Sequence, residues 1–322
     1  MQIVQGVLAS LFTMYAQRPV MKTQGRTFTD TSNFISIGPG DEILVGNRRY
    51  LIKGDEREYR FGLEDPKYWV KKAIDIETQE RKILKLAFKE TFTTNLAGVQ
   101  VRCFRDSTKE SKILDLVAHH PSFMHGRTYL DIRGNPVRVL DIVRGTNFLN
   151  YLDKFVMPHD EYFWNVLPDI LERLIDAFNA IDYLHRNGFR HGDIRNDHVF
   201  VTHKEQRYVW IDFDYDFELP ENPYGLDVFA LGNLLTYAIG NGFHEYHTIK
   251  NDTNTYKDLA EHLTPSDFSL LHKARLVNLK KLYPYIPPML NNMLLHFSRG
   301  ANVFYETVQE IVEDLNGYLE SI

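Results

Sequence analysis

RHGDIRNDHVFVTHKEQRYVWIDFDYDF, residues 190–217, decides how this chain reads. It follows a long amphipathic stretch, Glu161–Asn187, in which Phe163, Val166, Leu167, Ile170, Leu171, Leu174, Ile175, Phe178, Ile181 and Leu184 mark one helical face. Asp193 then falls in a loop. Two short apolar runs, HVFV and YVWIDF, bracket THKEQR and predict a hairpin. Asp212 ends the second run, 19 residues after Asp193, so the hairpin brings both carboxylates to one mouth. Two carboxylates held side by side repel, and a cation between them is what makes such a pair stable. His198, five residues past Asp193, reaches the same mouth.

Outward from this hairpin the texture changes in both directions. From Asp41 to about Phe88, EILV, RRYLIK, EYRFGL, YWVKKAID and RKILKLAF read as antiparallel strands separated by Gly, Asp, Pro and Glu. A helix is expected from Ser107 to His119, and two more strands at Thr128–Ile132 and Val137–Val143. After Leu226 the chain is helical, with a Pro-rich break at Tyr283–Pro288. The segment before Asp41 gives a helix over residues 1–20, loops, and one short strand, FISI. No flexible linker divides the chain, so two lobes sharing a cleft are expected rather than independent domains.

Composition excludes several classes. The 322 residues carry 37 Lys+Arg against 43 Asp+Glu, a formal net charge of −6, which does not suit a nucleic-acid binder. Cys103 is the single cysteine and forms no internal disulfide, which fits a cytoplasmic protein. No run of about 18 apolar residues is present, so no membrane span is expected. The first residues lack the basic segment and cleavage site of a signal peptide.

HGDxxxxH followed by hydrophobic-Asp-Phe resembles the catalytic loop and metal-binding motif of the protein-kinase-like superfamily, whose usual forms are HRDxxxxN and DFG. The HGD form is similar to that of aminoglycoside phosphotransferases, and IDFDY resembles the IDFEY of choline kinases. Other parts follow in kinase order. RKILKLAF resembles the third strand and points to Lys85 as the lysine on the ATP phosphates. KESKILDLVAHHPSF resembles the next helix and points to Glu110 as its partner. VRVLDIVRGTNFLNYL resembles the last N-lobe strand and hinge, whose Asp141–Val143 backbone would meet adenine. GLDVFALGNLLTYAIGNG resembles the C-lobe helix whose acid, here Asp227, anchors the catalytic loop, and YETVQEIVEDL resembles the last C-lobe helix.

The resemblance covers about residues 45–318 and implies a bilobal α+β fold: an N-terminal extension (1–40), an antiparallel sheet lobe with one helix (41–143) and a mainly helical lobe (144–322). It implies transfer of the ATP γ-phosphate to a hydroxyl with Mg²⁺ or Mn²⁺. Asp193 would be the base, Arg195 would neutralise the transferred phosphoryl group, and Asp212 and His198 would be metal ligands. An atypical serine/threonine protein kinase is the leading expectation. A small-molecule kinase, with Asp214, Asp216 and Glu218 forming an acidic pocket for a cationic acceptor, is the second. A nucleotide-binding pseudokinase is the third.

Four departures bear on the choice. His198 stands where the family has asparagine, and nitrogen suits Mn²⁺ better than Mg²⁺. Asp214 replaces the DFG glycine. No G-x-G-x-x-G loop occurs between Gly54 and Gly62. Asp227 follows Asp212 by only 15 residues, too few for a full peptide-docking segment. The competing readings are a solvated strand lysine for Lys85, an exposed helix residue for Glu110, a packed loop histidine for His198, and packing for Cys103.

Overall fold

The computed structural model describes residues 25–60, 63–96 and 99–322. The helix expected over residues 1–20 lies outside them. In chain order the strands and helices begin with β1 (Thr27–Phe28), β2 (Glu42–Val45), β3 (Arg48–Arg60), β4 (Leu63–Asp75), β5 (Arg81–Lys85), β6 (Thr91–Leu96), β7 (Val99–Arg105) and α1 (Ser107–Leu116). There follow β8 (Gly126–Leu130), β9 (Pro136–Asp141), β10 (Gly145–Asn147), α2 (Phe148–Leu152), α3 (His159–Asn165), α4 (Leu167–Arg186), β11 (Val199–Thr202), β12 (Tyr208–Trp210) and β13 (Tyr215–Glu218). The chain closes with α5 (Gly225–Ile239), α6 (Tyr246–Asn251), α7 (Thr253–Tyr256), α8 (Pro288–Leu295) and α9 (Val308–Leu319). This is the expected α+β arrangement, sheet-rich in its N-terminal part and mainly helical in its C-terminal part.

Contacts divide the chain into two compact units. Of the described residues, those from 25 to 88 and from 125 to 142 form the first, and those from 89 to 124 and from 143 to 322 form the second. The first unit holds a seven-stranded sheet in the order β1-β2-β3-β4-β5-β9-β8, antiparallel except for the β1–β2 pair. One face of it is dry: Ile43, Val45, Tyr50, Ile52, Ala73, Leu84 and Val139 pack with Ile37. Residues 25–37 therefore belong to this unit. FISI is not a strand; its Phe34–Ser36 form a 3-10 turn that delivers Ile37 into the core. Asp131 in the β8–β9 turn accepts the backbone N–H and the hydroxyl of Thr31, both at 2.8 Å. Lys71, fully buried, donates to the Ile37 carbonyl (2.7 Å) and pairs with Asp55 (2.8 Å), as a buried ammonium must.

The second unit is built on α4, whose Leu167, Ile170, Leu171, Leu174, Phe178, Ile181 and Leu184 are all buried at helical spacing. The single helix expected over Glu161–Asn187 is two, α3 and α4. Pro168 lacks the N–H that a continuous helix needs, and it sits instead in the first turn of α4, where that donor has no helical partner. Trp210 on β12 donates its indole N–H to the Ala177 carbonyl of α4 (2.8 Å), seating the β11–β12 hairpin on the helix. A Thr307–Glu310 capping box starts α9.

Five strands escaped the sequence reading: β1, β6, β7, β10 and β13. After Lys85 the chain makes a further hairpin, β6–β7, before α1. β13 pairs antiparallel with β7, with Tyr215 opposite Arg105 and Phe217 opposite Cys103. The hairpin and α1 group with the helical unit, whereas the sequence reading assigned residues 41–143 to one lobe.

Candidate active site

Asp193, His198 and Asp212 come together within the second unit. The turn Asn196–His198 and strand β11 carry His198 back toward both acids. Its Nδ1 lies 2.7 Å from the Asp193 main-chain oxygen, which can only accept, so Nδ1 carries the proton. That leaves Nε2 facing Asp212 Oδ2 at 3.6 Å, while Nδ1 is 3.5 Å from Asp193 Oδ2. His198 is thus a wedge between the two carboxylates, with one ring nitrogen toward each.

This geometry fits a metal ion at one place. A histidine that donates one ring N–H to a main-chain carbonyl and turns the other nitrogen toward a carboxylate has the usual form of a metal ligand. His198 Nε2 and Asp212 are the residues that would hold the ion, while Asp193 faces the other ring nitrogen. Among the described residues no three His, Cys, Asp or Glu side chains form a metal centre by themselves. The other ligands of such an ion would be water and phosphate oxygens. Asp212 has a left-handed backbone (φ 65°), a strained conformation for a residue other than glycine and one that clusters at functional sites.

Burial pushes the Asp193 carboxyl above the usual carboxylate range and Asp212 adds to this, while His198 and Arg195 pull it back. Such a carboxyl is a stronger base than a solvated one. Arg195 is held by Asp197, Nε to Oδ1 at 2.9 Å and Nη2 to Oδ2 at 2.5 Å.

The loop is fixed from beneath. Asp227, in the first turn of α5, accepts the backbone N–H groups of His191 (2.7 Å) and Gly192 (2.9 Å) and faces His185 Nε2 at 3.1 Å. Burial alone would raise its carboxyl, but the His185 and Gly192 donors and the nearby imidazoles hold it below the usual range. His191 is completely buried against Trp210 and Phe213, and burial lowers its imidazole to about 3, so it is neutral. Gly192 has φ +86°, and a Cβ there would lie 1.9 Å from the Tyr215 carbonyl oxygen. The glycine of HGD is required because the chain after Asp212 crosses directly over it.

Lys109 was missed by the sequence reading. Its buried ammonium donates to the carbonyls of His191 (3.1 Å) and Tyr215, tying α1 to both the loop and β13. Its neighbour Glu110 is fully buried in the first turn of α1, so the exposed-helix reading fails. In the first unit Lys85 is 5% exposed and cannot be a solvated strand lysine. Directly opposite it across β5 and β9 stands a second buried cation, Arg138, also unforeseen. Asp141 ends β9; its N–H donates to the His125 carbonyl (2.9 Å) and its carboxylate meets Lys82 (2.6 Å), so the N–H meant for adenine is engaged within the unit. Val143 opens the second unit.

The expected acidic pocket does not exist as such. Asp214 is buried on Arg105, Nη1 at 2.8 Å from both carboxylate oxygens; Asp216 pairs with Arg190 (2.7 Å) and Glu218 with Arg102 (3.3 Å). Cys103 packs between Phe92 and Phe217 on the neighbouring strands, and burial raises its thiol, consistent with packing. Of the stretch Gly54–Gly62, residues 54–60 contribute to a long two-stranded ribbon, β3–β4, with irregular register at Ile52/Gly54 and Asp55/Glu56.

In its element order and in the Asp227 anchor beneath the loop the chain resembles a protein-kinase-like fold. The chain is similar to the crystal structure of a single-substitution mutant of the Mycobacterium tuberculosis PknI kinase domain, with TM-score 0.48 and 16% identity over 83% of this chain and 94% of that one. A second structure of the PknI kinase domain gives TM-score 0.46 and 16% identity over 83% and 95%. No family model and no curated protein sequence matches.

Proposed function

We propose that the chain is an ATP-dependent phosphotransferase acting on a hydroxyl, with a protein serine or threonine as the first acceptor class to test. The observation that carries this is the wedge of His198 between Asp193 and Asp212 on a loop anchored by Asp227. Phosphoryl transfer asks a protein mainly for positioning and charge stabilisation, and these groups supply both. Asp193 accepts the acceptor's proton as its oxygen attacks. Asp212 and His198 Nε2 would hold Mg²⁺ or Mn²⁺, which when bound would screen the charge on the phosphates. Lys85, a buried cation of the first unit, is assigned to the ATP phosphates, and Glu110, buried in the first turn of α1, keeps the role the resemblance gives it as that lysine's carboxylate partner. Arg195 serves the transferred group only if it leaves Asp197.

A small alcohol is the second acceptor reading. Only six residues separate β13 from α5, which leaves little chain for docking a peptide. The ion pairs at Asp214, Asp216 and Glu218 argue against a cationic alcohol in particular.

Thermal unfolding with ATP, ATP–Mg²⁺ and ATP–Mn²⁺ tests the reading. A ligand at about 100 times its Kd adds about 2.7 kcal/mol, or roughly 4 °C at ~2 cal/mol/K of unfolding entropy per residue. A metal-dependent shift lost in Asp212→Ala is expected. The absence of any shift with either metal would refute it and favour a partner-binding pseudokinase.

A further inference from the structure

The residues that follow Asp212 are held by a device outside the motif itself. Arg105, at the end of β7, is almost fully buried, and its guanidinium meets both oxygens of Asp214 and, through Nε, Glu90 Oε2 at 3.0 Å. It lies over the Tyr215 ring, 3.9 Å from the centroid, and the Tyr215 hydroxyl donates to the same Glu90 oxygen at 2.6 Å. The Asp106 N–H donates to the Asp214 carbonyl at 2.7 Å, and β7 pairs with Tyr215–Glu218 throughout. Burial works against the Arg105 charge, but Asp214, Tyr215, Asp212 and Glu90 together outweigh it and hold the guanidinium charged.

We infer that Arg105 is a positioning residue: through Asp214 it fixes Asp212 in its metal-binding orientation, so that the β6–β7 hairpin orders this segment without a phosphate group on it. This rests on the reading of Asp212 as a metal ligand. The strained backbone at Asp212 needs surroundings that over-determine it, and two residues away the chain is gripped by a bidentate buried ion pair, a strand pairing and the Lys109 ammonium. In chains of this fold a flexible segment after the metal-binding Asp is commonly ordered by phosphorylation through new arginine pairs. Here the carboxylate is genetically encoded at Asp214 and its arginine arrives on an adjacent hairpin. Asp214 and Tyr215, the second half of the IDFDY run, are thereby explained as parts of the grip rather than of an acceptor pocket.

The test uses the full unphosphorylated chain and two readouts: hydrogen exchange of the amides of residues 213–218, and the apparent Kd of ATP–Mn²⁺ from thermal shifts. Arg105→Leu is expected to speed exchange of these amides by at least about tenfold while Val199–Thr202 is unchanged, and to weaken ATP–Mn²⁺ by about tenfold. Arg105→Lys, which keeps the charge but not the fork, is expected to fall between. Asp212→Ala is expected to lose the metal-dependent shift yet keep the protection. If Arg105→Leu does not fold, Asp214→Asn is read in its place. Unchanged protection together with an unchanged ATP–Mn²⁺ Kd overturns the inference. A metal-dependent shift that survives Asp212→Ala overturns the underlying metal assignment instead, and the exchange data then still report on the grip.

Discussion

Replacing Gly192 by alanine strikes the structure at its tightest crossing. Two costs combine. A non-glycine residue at φ +86° carries about 1–2 kcal/mol of backbone strain. The new methyl would also sit 1.9 Å from the Tyr215 carbonyl oxygen and 2.6 Å from its carbon, so one backbone must retreat by about 1 Å, since carbon–oxygen contact distances lie above 3 Å. Tyr215 is held by strand pairing and by Lys109, and giving up a hydrogen bond from a charged donor costs about 1.5–3 kcal/mol. The total is about 2.5–5 kcal/mol. Gly188→Ala is the control: its φ is +78° but nothing lies within 4 Å of the new methyl, so only the backbone part, about 1 kcal/mol, is expected. Urea denaturation of both variants, compared at equal m-values, measures the difference. If Gly192→Ala is no less stable than Gly188→Ala, the crossing is not as tight as described, and the account of why this loop reads HGD collapses.

Asp131 gives a pH prediction. Burial opposes its ionisation, but the donors from Thr31 and Asn135 overcome this and lower the carboxyl to about 2, from an ordinary value of 3.8. A depressed carboxyl stabilises the fold above its unfolded value, so up to about 2 kcal/mol is present above pH 4 and is lost as pH falls from about 4 to 2; acid unfolding of Asp131→Asn, flat across that window relative to wild type, is the check. Asp227→Ala leaves the His191 and Gly192 N–H groups without an acceptor and should cost about 3 kcal/mol while abolishing the proposed phosphotransfer, measured by denaturation and turnover. His198→Asn exchanges a nitrogen ligand for an oxygen one. The ratio of Mn²⁺ to Mg²⁺ affinity in the presence of ATP should therefore fall by about tenfold, and an unchanged ratio would remove His198 from the metal site.

The loop-and-hairpin core of the site was legible because its signals are local. HGD, the apolar strand ending at Asp212 and the amphipathic α4 each depend on neighbours within about twenty residues. Asp227 was legible because the resemblance extended to its helix. What stayed hidden depends on distant partners. The β6–β7 hairpin has largely exposed side chains over Thr91–Thr94, so its strands lack the alternation that half-burial imprints. The only sequence cue was a pair of small residues, Ala97-Gly98, between runs rich in Thr, Phe and Val. Asp214 was visible as a departure from DFG, but its meaning lies in Arg105, 109 residues earlier. Lys109 reads as one more helix lysine until its burial is known.

The contacts of residues 25–37 make this segment part of the first unit's core. A shortened chain starting at Asp41 would leave Lys71 without the Ile37 carbonyl, Asp131 without Thr31, and the Ile43–Ile52–Leu84 face without its cover. Exposed β-rich apolar surface of that kind invites self-association. Shortening the chain to Asp41 is therefore incompatible with this fold, and a version cut there would be recovered as aggregate.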